Sequence, residues 1–226
     1  MLRHGILYAA SLVIALSGCK KGEVETPDLG HGYFPKTLGS WIEYQVDSSW
    51  RDDPSAVSGS VSYRLLEKVV QNYTDDEGRA CQMIHRFVKD ANEEWVIRDV
   101  WTCTRNNSAA ETTEENVRLL KLAFPVNNGV SWDLNVFNTE DELEVAYREK
   151  DTPWSAGELV FDRTVLVKNT VPANIIVKRN YEERYADGVG MVSKYREETN
   201  TQFDVQGQLE VVGWRLDMVA VAYGAD

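Results

Sequence analysis

Cys81-Gln82-Met83-Ile84-His85-Arg86-Phe87-Val88-Lys89 and Trp95-Val96-Ile97-Arg98-Asp99-Val100-Trp101-Thr102-Cys103 flank the polar stretch Asp90-Ala91-Asn92-Glu93, and the reading of this pair of runs decides the fold. Both runs are rich in β-branched and aromatic residues, which pack well on a pleated surface. Asp and Asn between them favour a tight reversal. A turn centred at Asn92 makes residues 79–89 and 94–104 a hairpin. In that register Met83 meets Trp101, Ile84 meets Val100 and Phe87 meets Ile97, so apolar side chains oppose apolar ones.

The same register sets Cys81 opposite Cys103. Directly opposed, non-hydrogen-bonded strand positions approach to about 4.5 Å between Cα atoms, within reach of a disulfide, so in an oxidising compartment these two cysteines are expected to be bridged. It also opposes His85 with Asp99. That pair reads either as a general base with its orienting carboxylate or as a cross-strand ion pair, and no positioned nucleophile accompanies it.

The pattern continues in both directions. Trp41-Ile42-Glu43-Tyr44-Gln45-Val46, Val61-Ser62-Tyr63-Arg64-Leu65-Leu66, Ile175-Ile176-Val177-Lys178-Arg179 and Leu209-Glu210-Val211-Val212-Gly213-Trp214 read as further strands, separated by turn signals such as Asp75-Asp76-Glu77-Gly78, Asn127-Asn128-Gly129 and Asp187-Gly188. The best helix candidate is Ser108 to Glu115, where Ser108 and Glu111 have capping-box spacing. The run Val117 to Leu122 after it reads equally well as a strand. The expected fold is all-β and mostly antiparallel, a β-sandwich or a curved half-barrel sheet. Phe34-Pro35-Lys36-Thr37-Leu38-Gly39-Ser40-Trp41 is echoed by Phe124-Pro125-Val126-Asn127-Asn128-Gly129-Val130-Ser131-Trp132, which suggests two similar units, 33–122 and 123–226.

Upstream, Arg3 precedes the apolar stretch Ile6 to Leu16, the organisation of a secretory signal and too short to span a bilayer. Leu16-Ser17-Gly18-Cys19 at its end resembles the lipobox of bacterial lipoproteins. The resemblance implies cleavage of residues 1–18 and a diacylglyceryl group on the Cys19 thiol, with further acylation, such as palmitate, of the new amino terminus. Two or three acyl chains hold a protein on a membrane almost permanently, at about 0.8 kcal/mol per buried methylene. Residues 19–32 carry Gly22, Pro27, Gly30 and Gly32 without apolar periodicity and read as a flexible tether, so the β domain is expected over 33–226.

Composition narrows the function classes. With 24 basic and 36 acidic residues the formal net charge is -12. Loss of the leader removes Arg3 and leaves -13, a field that argues against nucleic acid and against gripping anionic headgroups. Seven Trp and ten Tyr argue for a packed core. There is no Gly-x-Ser-x-Gly elbow, no His-Glu-x-x-His, no Cys-x-x-Cys and no phosphate-cradling loop, so no catalytic residue, metal ligand or cofactor is assigned. The acidic runs Asp75-Asp76-Glu77 and Glu140-Asp141-Glu142 read as solvated turns.

Tyr33-Phe34-Pro35, followed by Gly39-Ser40-Trp41 and Tyr44, is similar to the opening of many uncharacterised envelope lipoproteins of Bacteroidetes-type bacteria. Tyr185-Ala186-Asp187-Gly188-Val189-Gly190 resembles a segment found late in them. The resemblance implies class and location only. Lys20 after Cys19 points to the outer membrane by analogy with envelope lipoproteins generally. The first functional expectation is a non-catalytic accessory subunit that binds another envelope protein, through an apolar patch or an open sheet edge. The second is a carrier or sensor whose half-barrel encloses an apolar ligand against Trp95, Trp101, Met83 and Phe87. The third is glycan capture on Trp50 and Trp154 as stacking platforms.

Overall fold

In the computed structural model, residues 27–35, 37–52, 57–171 and 174–226 are described. The alternating runs become β1 (Ser40–Arg51), β2 (Ser58–Thr74), β3 (Ala80–Lys89), β4 (Trp95–Arg105), β5 (Ala109–Glu114), β6 (Val117–Ala123), β7 (Ser131–Asp133), β8 (Glu144–Ala156), β9 (Leu159–Asn169), β10 (Val177–Ala186), β11 (Gly190–Phe203) and β12 (Leu209–Ala225). All twelve belong to one antiparallel sheet in the order β6-β5-β4-β3-β2-β1-β12-β11-β10-β9-β8-β7. The first and last strands pair at its middle, and from that seam one meander runs out to β6 and another to β7.

The sheet curls until its two edges meet, forming a nearly closed barrel. Leu120 N–H of β6 donates to Leu134 O just after β7 at 2.9 Å, and the Trp132 indole donates to Leu120 O at 2.8 Å. The Tyr147 hydroxyl adds a bond to Ala123 O at 2.8 Å. Bulges supply the curvature, because an extra residue on one strand bends it and increases its twist. They lie at Val70 opposite β3, at Arg98 in β4, at Lys121 in β6, at Val192 in β11 and at Val221 in β12.

Among the described residues one 3-10 turn, η1 (His31–Tyr33), lies across one end of the barrel. Tyr33 is fully buried there, its hydroxyl donates to Asp151 at 2.7 Å, and Arg105 holds the carbonyls of His31 and Phe34 at 2.7 and 2.6 Å. Asp28 pairs with Arg163 at 3.1 Å and Leu29 O accepts from Val126 N–H at 3.0 Å. Residues 28–30, within the segment expected to be a tether, are thus held against the barrel. Two apolar clusters form the core, one around Tyr33, Leu122, Trp132, Tyr147 and Tyr185, the other around Tyr44, Val46, Leu65 and Met218.

Three expectations need correction. Near the turn β3 and β4 pair as expected, with Phe87 opposite Ile97, but the bulge at Arg98 slips the rest by one residue. Cys81 then faces Thr104, Cys103 faces Gln82, and the expected Cys81–Cys103 disulfide is absent, with both side chains buried. His85 lies opposite Val100, while Asp99 pairs with Arg86. The helix candidate Ser108 to Glu115 is instead strand β5, because β4 and β6 bracket it and sheet pairing outweighs a local capping signal. Cys19, expected to be lipidated, and the expected leader 1–18 lie outside the described residues.

Candidate functional site

The barrel interior is charged at its centre. Strand alternation brings Glu183 of β10 and Lys194 of β11 to opposed positions on the inner face, and β5 supplies Glu114. Lys121 comes from β6, where Val117 and Leu119 oppose the inward-facing Glu114 and Thr112, so alternation carries the next odd residue into the lumen; it is also the bulged residue of the strand, paired with nothing across the ladder.

There its ammonium meets Glu183 Oε1 at 2.5 Å and Glu114 Oε1 at 2.9 Å. Lys194 meets Glu114 Oε2 at 2.9 Å and Glu183 Oε1 at 3.3 Å. The hydroxyl of Tyr185 donates to Glu183 Oε2 at 2.5 Å, and that of Tyr181 lies 3.1 Å from the Lys121 ammonium. Glu183 is 0% exposed and Lys121 2%. Two cations and two anions cancel, which is how four charges can be buried together.

The proton affinities follow from that geometry. Burial alone would push Glu183 and Glu114 up, yet Lys121 and Lys194 hold both carboxyls below the usual carboxylate range. Burial likewise disfavours the Lys121 ammonium, and Glu114 and Glu183 outweigh it, so its pKa lies well above the ordinary lysine value. Burial raises Tyr181 and Tyr185. A neighbouring group behaves differently: burial pushes the Glu67 carboxyl up although Arg86, 2.9 Å away, opposes it.

Around this cluster the lumen is open. A cavity of about 730 Å³ is lined by Tyr63, Arg98, Trp101, Lys194, Arg196 and Trp214, among others. A second, of about 470 Å³, has Tyr181, Arg179 and Arg196 on one side and an acidic rim of Glu115, Glu140, Asp141, Glu142 and Glu198. A narrower one of about 110 Å³ lies toward η1, against Phe34, Trp41 and Tyr44. Trp101 and Glu114 border all three.

Cations in this lumen lie on aromatic faces. Arg86 stacks 3.5 Å from the centre of the Trp101 ring while bonding Glu67 and Asp99. Arg98 sits 5.4 Å from the Tyr63 ring and donates to its hydroxyl at 2.8 Å. Arg196 lies between two rings, Trp214 at 5.3 Å and Tyr181 at 5.8 Å. A cation over an aromatic face is attracted by the ring quadrupole, and the guanidinium edge still carries donors that can engage carboxylates, as those of Arg86 do.

Of the four residues expected to line an apolar cavity, Trp101 does. Met83 and Phe87 alternate with the inward-facing Gln82 and Ile84 and so belong to the other face of β3, and Trp95 is covered by Lys89 at the hairpin end. The two expected stacking platforms lie outside these three cavities. Trp154 stacks on Phe161 with ring centres 6.1 Å apart, and its other neighbour is Arg184. Trp50 is 42% exposed and packs on Gly59 across the strand pair. Among the described residues, no group of three or more His, Cys, Asp or Glu side chains is placed to hold a metal ion.

Sequence reasoning missed Lys121, Glu114, Glu183, Lys194 and Arg196. Two signals were available. One is a lysine inside an apolar strand run, and the other is Tyr181-Glu182-Glu183-Arg184-Tyr185, whose alternation puts a carboxylate between two tyrosines on the face that is buried.

No protein-family model matches the chain, and no curated protein matches it. Two solved structures are similar. A protein inferred to be exported, with a YmcC-like fold, from Bacteroides fragilis has 12% identity and a TM-score of 0.46, with 84% of this chain and 98% of that one covered. An inferred lipoprotein from Parabacteroides distasonis has 12% identity and a TM-score of 0.42, with 85% and 98% covered.

Proposed function

We propose that this chain is a lipid-anchored protein of a bacterial envelope, held through Cys19 in the outer membrane, that works by binding rather than catalysis and takes a small molecule into its barrel. The observation that carries this reading is the 730 Å³ cavity, built from aromatic faces and oriented arginines. Ligand sites are concavities of about 300–1,000 Å³ with a few placed polar groups. Barrels of about eight strands fill their interiors with side chains, and larger ones leave room. The lumen's carboxylates and ammonium groups are engaged with one another, which suits a rigid receptor more than a proton-transfer site.

The test uses the full chain, purified with its anchor from native membranes in mild detergent. Native mass spectrometry is expected to show an additional mass that denaturation releases. Val61→Trp, at an exposed position lining the cavity, is expected to lose it. Chain-plus-anchor mass alone in both proteins would overturn the reading.

An accessory-subunit role has its own observation. At the end opposite η1, the β11–β12 hairpin projects Phe203 and Leu209, about 70% exposed, with Val205 fully exposed at its tip and Ile175 on a nearby loop. Uncovered apolar groups clustered in this way mark contact surfaces. Site-specific crosslinking from position 203, identified by mass spectrometry, is expected to capture one protein in fixed stoichiometry, and Leu209→Asp to abolish the product. Unchanged crosslinking in Leu209→Asp would reject it.

A further inference from the structure

Resting on the lumen-binding reading, we infer that the ligand is a carboxylate carried on a six-membered ring, as in an acidic disaccharide, and that Arg196 and Arg98 grip its charge. The argument starts with which cations have donors to spare. Lys121 and Lys194 are committed to Glu114 and Glu183, and Arg86 is held by Glu67 and Asp99. Arg196 has one carboxylate partner, Glu198, itself 47% exposed on its side chain. An exposed pair of that kind is weak and readily exchanged for a ligand carboxylate. Arg98 donates to Tyr63 and lies 3.4 Å from Asp99 with 47% of its side chain exposed.

Both guanidinium groups border the same cavity, Arg98 over the Tyr63 ring and Arg196 over the rings of Trp214 and Tyr181. A planar fork held in this way matches a carboxylate in bidentate fashion. Trp214 and Trp101 line the same space; with Arg86 on the Trp101 face and Arg196 over Trp214, a pyranose or aryl ring held by the arginines lies beside their indoles. Polarity fixes the route. The cavity on the Tyr181 side of Arg196 is rimmed by Glu115, Glu140, Asp141, Glu142 and Glu198 and repels anions. The larger cavity has Arg86, Arg98, Lys194 and Arg196 among its lining residues against the single carboxylate Glu114. An anion therefore enters from the Tyr63 and Trp214 side, against an overall chain charge of -12.

Titration calorimetry of the full chain in detergent micelles tests this, with three probes: digalacturonate, the neutral disaccharide cellobiose, and 2-naphthoate. Digalacturonate is expected to bind at least ten-fold more tightly than cellobiose. Arg196→Gln is expected to lose ten-fold or more for digalacturonate without changing cellobiose, while Trp214→Leu weakens both. Naphthoate binding at the strength of digalacturonate would assign the ring to an aryl acid, with the carboxylate grip intact. Equal affinity for digalacturonate and cellobiose, or no effect of Arg196→Gln, overturns the inference. A neutral molecule found in the lumen by native mass spectrometry would overturn it too, yet leave the binding function standing.

Discussion

The ammonium of Lys121 lies 2.5 Å from Oε1 of Glu183, joining edge strand β6 to β10 across the lumen, 62 residues away in sequence. This contact is a strut inside the barrel. Lys121→Met leaves two buried carboxylates to share the Lys194 ammonium, and breaking a buried pair on one side costs about 3–5 kcal/mol. Urea denaturation is expected to show a loss of that size. Lys121→Met with Glu183→Leu is expected to lose less than the two single changes together; an additive result would remove the strut.

Acid should unfold the protein through the same cluster. Glu114 and Glu183 have folded-state pKa values below their ordinary 4.5, so their contribution is complete above that value and is lost as pH falls through the lower folded values. Glu67, raised by burial, works the other way and is relieved as it protonates. Lys121, raised above 10.5, contributes fully below that value and loses its contribution only as pH rises through the folded one. Thermal melts are expected to hold steady near neutrality and fall below about pH 4. Glu114→Gln is expected to flatten that fall; an unaltered acid limb would assign it to other carboxylates.

Cys81 and Cys103 occupy adjacent register positions and so project from opposite faces of the sheet. Alkylation of the unfolded chain without reductant is expected to label both residues, and reductant to leave the melting temperature unchanged. An unlabelled pair would require the β3–β4 register to be moved by one.

Gly213 has φ +117°, and a Cβ there would stand 2.1 Å from Glu198 O on β11. Gly207, at the hairpin tip with φ +78°, has nothing near it. Both alanine substitutions meet backbone strain of about 1–3 kcal/mol. Gly213→Ala is expected to lose distinctly more, because strand β11 must yield as well. Equal losses in chemical denaturation would mean that the two strands part without cost.

Much of the fold was legible along the chain and much of the site was not. The period-two runs from Trp41 onward named strands correctly because side-chain alternation is local. Register was legible only to the first bulge: nothing in Val96-Ile97-Arg98-Asp99 says which residue the ladder will skip, and that single choice separated Cys81 from Cys103. The lumen was hidden for another reason. Alternation from Val117 and Leu119 turns Lys121 inward, but its partner Glu183 comes from β10, which lies near β6 only once the barrel closes. Trp101 was recognised as a cavity residue since its own strand places it there, whereas Arg196 needed Trp214 and Tyr181 from two other strands before its role could be seen.

The seam at the middle of the sheet joins the first strand to the last, with Ser40 opposite Ala225. Each meander can assemble from chain neighbours as it is synthesised, but β1 keeps one side bare until β12 exists. Closure thus waits on β12: a polypeptide cut short before Leu209 has most of its core residues and two half-shells, yet no ring. Truncated copies would therefore expose the backbone ladder of β1, a built-in mark by which unfinished molecules differ from finished ones.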